Sequence, residues 1–380
     1  MKSLTKAFLK SFSLNTKILN VLCSLMTLIL IIFLTLPTGC AKEPKEIKIG
    51  VVLPLSGSAA SHGEDIMGGI DIALKEINEK GIKGKKVELI VEDNQSSAQG
   101  SVSALRKLFE VNKVPIVIGP VASSDMLAMA PVAESNKKVL ISPAASSPKI
   151  SDTGDYIFRN SLLAEPQGEM MATFCYQTLN KKTVAILFID DETGRGYKDS
   201  FQSRFSNLGG KVLFVDSYDR NGTDFRTQLI KLKASNPEAA YIPSIPKTLG
   251  YILRQAKELD IKTVFLANYG VEGDALLEIA RDTAEGLYYT SIPIDPSFIK
   301  KFEDIKGRKP TIGAPLGYDT LKIVAQAIEN EGYTADGIKK GLYKIQNFNG
   351  VTGLTSFDEK GDAKKEVIIK IVKQGKFEKF

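Results

Sequence analysis

The strongest constraint on this chain is an alternation of two apolar rhythms along most of its length. Short β-branched runs, "IKIGVV" (47–52), "KVELIVE" (86–92), "VPIVIG" (114–119) and "KVLISP" (138–143), read as buried strands. Amphipathic stretches lie between them. In "EDIMGGIDIALKEINEK", Met67, Ile70, Leu74 and Ile77 recur at three- and four-residue spacing, and Val102, Leu105 and Leu108 repeat the pattern. Strand and helix in turn imply βαβ units, and therefore a mostly parallel sheet covered on both faces. Around residues 155–170, "DYIFRNSLLAEPQGE" breaks the rhythm. It restarts with "TVAILFID" (183–190), "KVLFVDSY" (211–218), "AAYIPS" (239–244), "KTVFLANYG" (262–270) and "EGLYYTSIP" (285–293), with helical stretches such as "FRTQLIKLKAS" between. Two successive α/β series predict two similar lobes. Residues 297–345 read as helix-rich. In the tail, Asp358 to Asp362 reads as a turn between strands, and this tail is expected to cross back between the lobes.

The first 40 residues obey different rules. Lys2, Lys6, Lys10 and Lys17 give a basic start, and residues 18–40 carry no charge. That is the layout of a signal peptide. The stretch is also long enough to be a membrane helix. Its end, "LPTGC", places Thr38 and Gly39 before Cys40 and resembles the cleavage box of bacterial lipoproteins, with Pro37 where that box usually has leucine. The resemblance implies a signal peptide over 1–39, lipid on Cys40 and a polar tether over 40–46. Each of these readings puts the folded part outside the cytoplasm, in the cell envelope: lipid-anchored on the outer side of the cytoplasmic membrane, or in the periplasm.

Charge and cysteine usage narrow the function. The chain has 50 basic and 44 acidic residues; without the four lysines of the leader, 46 basic residues face 44 acidic ones. No concentrated basic face is implied, which argues against nucleic acid. Cys23 lies in the leader and Cys40 would carry lipid, leaving Cys175 alone on the apolar helical pattern "MMATFCYQTL", where a buried inert thiol is expected.

In an open parallel sheet, ligands bind beyond the carboxyl ends of the strands, where helix N-termini present free N–H groups. Three segments after first-lobe strands are small, rich in hydroxyls and without an acid–base pair: "LPLSGSAASHG", "GPVASSD" and "SPAASSP". Ser123, Ser124, Ser142, Ser146 and Ser147 offer neutral donors suited to a carboxylate. One at a time, such residues read equally as helix caps and turn formers. Catalysis is the competing class. His62 is the one histidine in the chain, so a Ser-His-acid arrangement would have to use it. There is no G-x-S-x-G elbow, phosphate loop or H-E-x-x-H pair, and the near absence of Cys and His leaves no metal cluster and no cofactor to expect. "GRG" (194–196) is too short for a dinucleotide fingerprint.

From about Ile47 to the C-terminus, the chain resembles the leucine/isoleucine/valine-binding family, the type I substrate-binding proteins of ABC importers. The matching segments include "IGVVLPLSGSAASHG", "VIGPVASSD", "ISPAASSP", "FRN", "TVAILFIDDETGRGY", "LRQAK", "AEGLYYT" and "FDEKGD". The resemblance implies two Rossmann-like lobes joined by a three-strand hinge. Lobe 1 would comprise 47–161 plus about 292–353, and lobe 2 would comprise 162–291 plus about 354–380. It implies a non-enzymatic, monomeric binding protein that captures a small carboxylate, such as a branched-chain or related amino acid, by lobe closure and passes it to an ABC permease in the membrane. A ligand sensor of the same fold is the alternative, with an extracytoplasmic serine hydrolase or amidase behind it.

Carried over position by position, the ligand carboxylate would meet Ser123, Ser124 and the loop of Ala144, Ala145 and Ser146, with His62 beside the ligand. In the second lobe, Thr193 and Ile245 stand where the family has aromatic side chains. Tyr269 stands where an acid would face the ligand's ammonium; Glu272 replaces that acid only if its loop is shifted, and Asp191 is the other carboxylate to reach it. Without an anionic partner, a buried ammonium would be costly, which would favour a non-amino organic acid or amide.

Overall fold

The computed structural model describes residues 46–380; the leader, Cys40 and residues 41–45 of the tether lie outside the described residues. The first strands are β1 (Ile47–Leu53), β2 (Val87–Asp93), β3 (Ile116–Ile118), β4 (Val139–Ser142) and β5 (Ile157–Arg159). They form a parallel sheet in the order β2-β1-β3-β4-β5. Both faces are covered, as the unbroken apolar runs require. Helix α1 (Ala60–Lys80) packs Ile66, Ile70 and Ala73 on one face against Ile49, Val51 and Ile118. On the other face, α2 (Ala98–Arg106) and α3 (Ser123–Ser135) bring Leu105, Met126 and Met129 against Val52, Val117 and Leu140.

The chain leaves this sheet through 160–163 and builds a second one. Its elements are α4 (Ala164–Thr173), β6 (Thr183–Ile189), α5 (Glu192–Asn207), β7 (Lys211–Tyr218), α6 (Arg226–Ser235), β8 (Ala239–Tyr241), α7 (Pro246–Glu258), β9 (Val264–Ala267), α8 (Asp274–Ala280) and β10 (Tyr288–Ser291). The core again lies on both faces of the sheet. Buried Cys175 sits in one of these layers, as its apolar helical setting predicts.

Three helices then return to the first lobe: α9 (Pro296–Lys306), α10 (Gly313–Glu331) and α11 (Ala335–Tyr343). Leu321, Val324 and Ile328 of α10 enter the same core as α1. The two helices touch backbone to backbone at Gly69, where a Cβ would come within 1.8 Å of the Ala314 carbonyl oxygen. Strands β11 (Phe348–Gly350), β12 (Gly353–Phe357) and β13 (Ala363–Lys364) form a small antiparallel sheet. Finally β14 (Ile368–Lys373) and β15 (Lys376–Lys379) add antiparallel strands to the second sheet, giving the order β15-β14-β10-β9-β8-β6-β7.

The last return differs from the expected boundary near 354. Phe357 packs edge-on to Phe158 at 5.7 Å, and Ala363 is buried in the first lobe's core. Pairing with the second sheet begins only at Ile368. The apolar side of β12 thus finds its partners on the first lobe and stays there. The three connecting segments meet at one apolar knot: Leu162, Ile292 and Val367, one from each, pack with Tyr269 and Leu316.

Candidate functional site

Both sheets reverse strand order at the same relative place. In the first, β2 and β3 flank β1; in the second, β7 and β8 flank β6. Such switch points leave a crevice beyond the carboxyl ends of the strands. A cavity of about 360 Å³ lies there, between the lobes. One wall is built by the loops and helix starts after β1, β3 and β4, and the facing wall by those after β6, β8 and β9.

On the first wall, the cis Gly119-Pro120 bond ends β3. Gly119 has φ 121°, and a Cβ there would meet the Val52 carbonyl oxygen at 1.9 Å, so the close approach to β1 requires glycine. Helix α3 comes next. Ala122 occupies its N-cap position and no side chain caps it, so the two serines that open the helix are free for other contacts. The buried Ser123 Oγ accepts the amides of Ser146 and Ser147, each at 3.1 Å, and shares a 2.9 Å hydrogen bond with the Thr193 hydroxyl of the other lobe. Ser124 is exposed in the cavity, and its hydroxyl donates to Asp125 Oδ1 at 3.2 Å.

The loop after β4 is held from behind. Ser142 Oγ donates to the Pro120 carbonyl at 2.6 Å and accepts the Ala144 and Ala145 amides at 3.2 and 2.9 Å. Arg159, fully buried, donates to the Ser147 carbonyl at 2.5 Å and to Ser151 Oγ at 2.8 Å while pairing with Asp362 at 2.6 Å. The loop is therefore fixed by a buried guanidinium that reaches across to the returning tail.

On the second wall, Asp191 caps α5 by accepting the Gly194 amide at 2.7 Å, and its other oxygen pairs with Arg220. Glu192 pairs with Lys149 of the first lobe at 2.8 Å, a second tie across the cleft. Asn268 accepts the Ser244 amide at 2.7 Å. The turn Tyr269–Val271 brings Glu272 round to the cavity. Ser291 Oγ donates to Glu272 Oε2 at 3.2 Å, and Lys370 pairs with Oε1. Burial pushes the Tyr197 phenol up to about 12; its hydroxyl accepts from Gln167 at 2.8 Å. His62 is held below its ordinary value by burial and then by the charge of Arg220 across the cleft. Burial raises the Asp125 carboxyl, which has no cationic partner among the described residues; Asn94, Ser101 and Ser124 donate to it.

Of the residues named from sequence, His62, Ser123, Ser124, Ala144 and Ser146 line the first wall, and Thr193, Ile245, Tyr269 and Glu272 line the second. Ala145 does not. It is 1% exposed and packs in the core behind the loop, with its amide on Ser142 Oγ. The Ala144 amide is engaged by the same hydroxyl. Sequence reasoning missed Arg220, Tyr197, Asn268 and Lys370. Lys370 carries a usable signal, a single lysine inside "VIIKIV" (367–372). The others sit just past strand ends or on helices, like many surface residues.

Chemically, the cleft joins a wall of neutral donors to apolar surface from Ile66, Val121, Ile189, Ile245, Ile312 and Leu316. Among the described residues, no hydrogen bond joins His62 to a serine, and no cluster of three or more metal-ligating side chains occurs.

The chain matches the sequence model of the periplasmic binding protein family over residues 46–376. It is 28% identical over 335 residues to the Leu/Ile/Val-binding protein of Citrobacter freundii, covering 84% of this chain and 89% of that protein. Among solved structures, it is similar to a leucine-binding protein of Thermotoga maritima: 31% identity, TM-score 0.82, covering 88% of this chain and 97% of that one. A branched-chain amino acid transporter substrate-binding protein of Streptococcus pneumoniae, solved with isoleucine, is 27% identical with a TM-score of 0.81, covering 87% and 97%.

Proposed function

From the premise that this chain belongs to the periplasmic binding protein family, we propose that it captures a branched-chain or related amino acid for an ABC importer. The observation that carries the reading is the cavity itself: a crevice at the switch points of two sheets, with uncharged hydroxyls on one wall and an apolar lining. The relatives named for leucine, isoleucine and valine support the ligand class.

In this reading the ligand's carboxylate meets the Ser124 hydroxyl and the uncapped N-terminus of α3, where free N–H groups and the positive end of the helix dipole favour an anion. The ammonium faces Glu272. The aliphatic side chain lies on Ile189, Ile245, Ile312 and Leu316. Tyr269 does not displace the anionic partner, because the turn it begins carries Glu272 to the same cavity. The Ser123–Thr193 and Lys149–Glu192 contacts hold the lobes closed over the ligand. Lipid on Cys40 keeps the protein at the membrane beside its permease.

A thermal-shift panel of amino acids, 2-oxo acids, aromatic acids and short amides tests this. A ligand at 100 times its Kd adds about 2.7 kcal/mol of apparent stability. Leucine, isoleucine or valine should raise the melting temperature. A panel in which only aromatic acids or amides do so refutes the amino-acid assignment.

A further inference from the structure

We infer that Lys370 sets how strongly the cleft holds its ligand's ammonium group, acting through Glu272; the inference rests on the amino-acid reading above. Lys370 sits in the middle of β14 between Ile369 and Ile371. Side chains alternate along a strand, so Lys370 shares a face with Val372, which is buried in the second lobe's core. A charge on that face is costly unless it is paired. Its anionic partner among the described residues is Glu272; the two side chains are 15% and 18% exposed. The strand register makes the meeting unavoidable. β14 runs antiparallel to β10, setting Lys370 opposite Tyr289 and Ile368 opposite Ser291. Lys370 Nζ lies 5.9 Å from the Tyr289 ring centre, and Ser291 supplies the hydroxyl on the other Glu272 oxygen.

Glu272 lines the cavity, whereas Lys370 stands behind it. An ionised carboxylate has about four acceptor positions; Lys370 and Ser291 use one on each oxygen, and the rest remain for a ligand. The carboxylate is therefore aimed by two partners, one of which offsets part of its charge. An arriving ammonium is attracted by Glu272 and repelled by Lys370 a few ångströms further on. Lys370 is thus a positioning residue that tempers the preference for ligands bearing an ammonium.

The test is calorimetric titration of the full chain with L-leucine and with 4-methylpentanoate, which has the same carboxylate and branched chain but no ammonium. The readout is the ratio of the two dissociation constants. The wild type should favour leucine, and Glu272→Gln should bring the ratio close to one. Lys370→Met should raise the preference for leucine by about tenfold, and Lys370→Arg should leave it within about twofold. Lys370→Gln reads the same ratio if the methionine variant does not fold. A ratio that stays the same or falls on removing the lysine charge overturns the inference, since a merely structural lysine would weaken both ligands alike. Equal wild-type affinity for the two probes also overturns it while leaving the carboxylate site standing. Binding of neither probe overturns the amino-acid reading and the inference together.

Discussion

Ser123 and Ser124 are neighbours at the start of one helix, yet replacing each by alanine should give opposite readouts. Ser124 is exposed in the cleft, caps nothing, and makes one hydrogen bond within the protein, 3.2 Å to Asp125. Removing its hydroxyl should change the unfolding free energy by less than about 0.5 kcal/mol, the ordinary range for exposed substitutions. Affinity should fall much more. A hydrogen bond to a charged ligand group contributes about 1.5–3 kcal/mol, which is roughly 13- to 160-fold in Kd. Ser123 is 3% exposed and accepts two backbone amides besides its contact with Thr193. Ser123→Ala leaves the Ser146 and Ser147 amides without their acceptor. At about 1–3 kcal/mol for each buried unsatisfied donor, the variant should lose about 2–6 kcal/mol of stability. Urea unfolding followed by circular dichroism gives the first quantity, and calorimetric titration with leucine gives the second. If Ser124→Ala lowers stability by more than about 1 kcal/mol while Kd holds, the hydroxyl is structural and the carboxylate is bound elsewhere.

Three further predictions concern the scaffold. Asp362→Ala strands the buried Arg159 guanidinium, so urea unfolding should show a loss of about 3–5 kcal/mol; a loss below about 1 kcal/mol would mean that the pair does not hold the loop. Burial pushes the Cys175 thiol up to about 12, so iodoacetamide at pH 8 should label it only after denaturation; rapid labelling of the folded protein would contradict its place in the core. Burial lowers Lys365 to about 8 from an ordinary 10.5. Between those values the unfolded chain holds a proton that the folded chain has released, so this group raises stability as pH rises through that window. The difference in stability between wild type and Lys365→Met should therefore shift in favour of wild type from pH 8 to 10.5. A flat difference would place the ammonium in solvent.

What could be read from the sequence tracked periodicity. Unbroken apolar runs mark the parallel strands of both sheets, and the rule that ligands gather at the carboxyl ends of strands points to Ser123, Ser124 and Ser146 at the cavity. Side-chain direction inside a loop has no period, so nothing in the sequence separates Ala144, at the cavity, from Ala145, in the core. The tail was misplaced for a related reason. Phe357 and Ala363 have strand character on either lobe, and long-range partners, the Phe158 ring and the Arg159–Asp362 pair, hold them on the first. Arg220 and Lys370 escaped notice because their meaning lies in partners 29 and 98 residues away, Asp191 and Glu272.

Helix α10 carries a consequence for how the molecule is made. Leu321, Val324 and Ile328 close the core that β1 and α1 begin more than 240 residues earlier in the chain. A polypeptide emerging from its N-terminus thus lays down most of the second sheet while the first lobe still shows an open apolar face. Neither half is finished until the tail arrives, since β14 and β15 close the second sheet, and an unfinished chain exposes the surface that chaperones recognise.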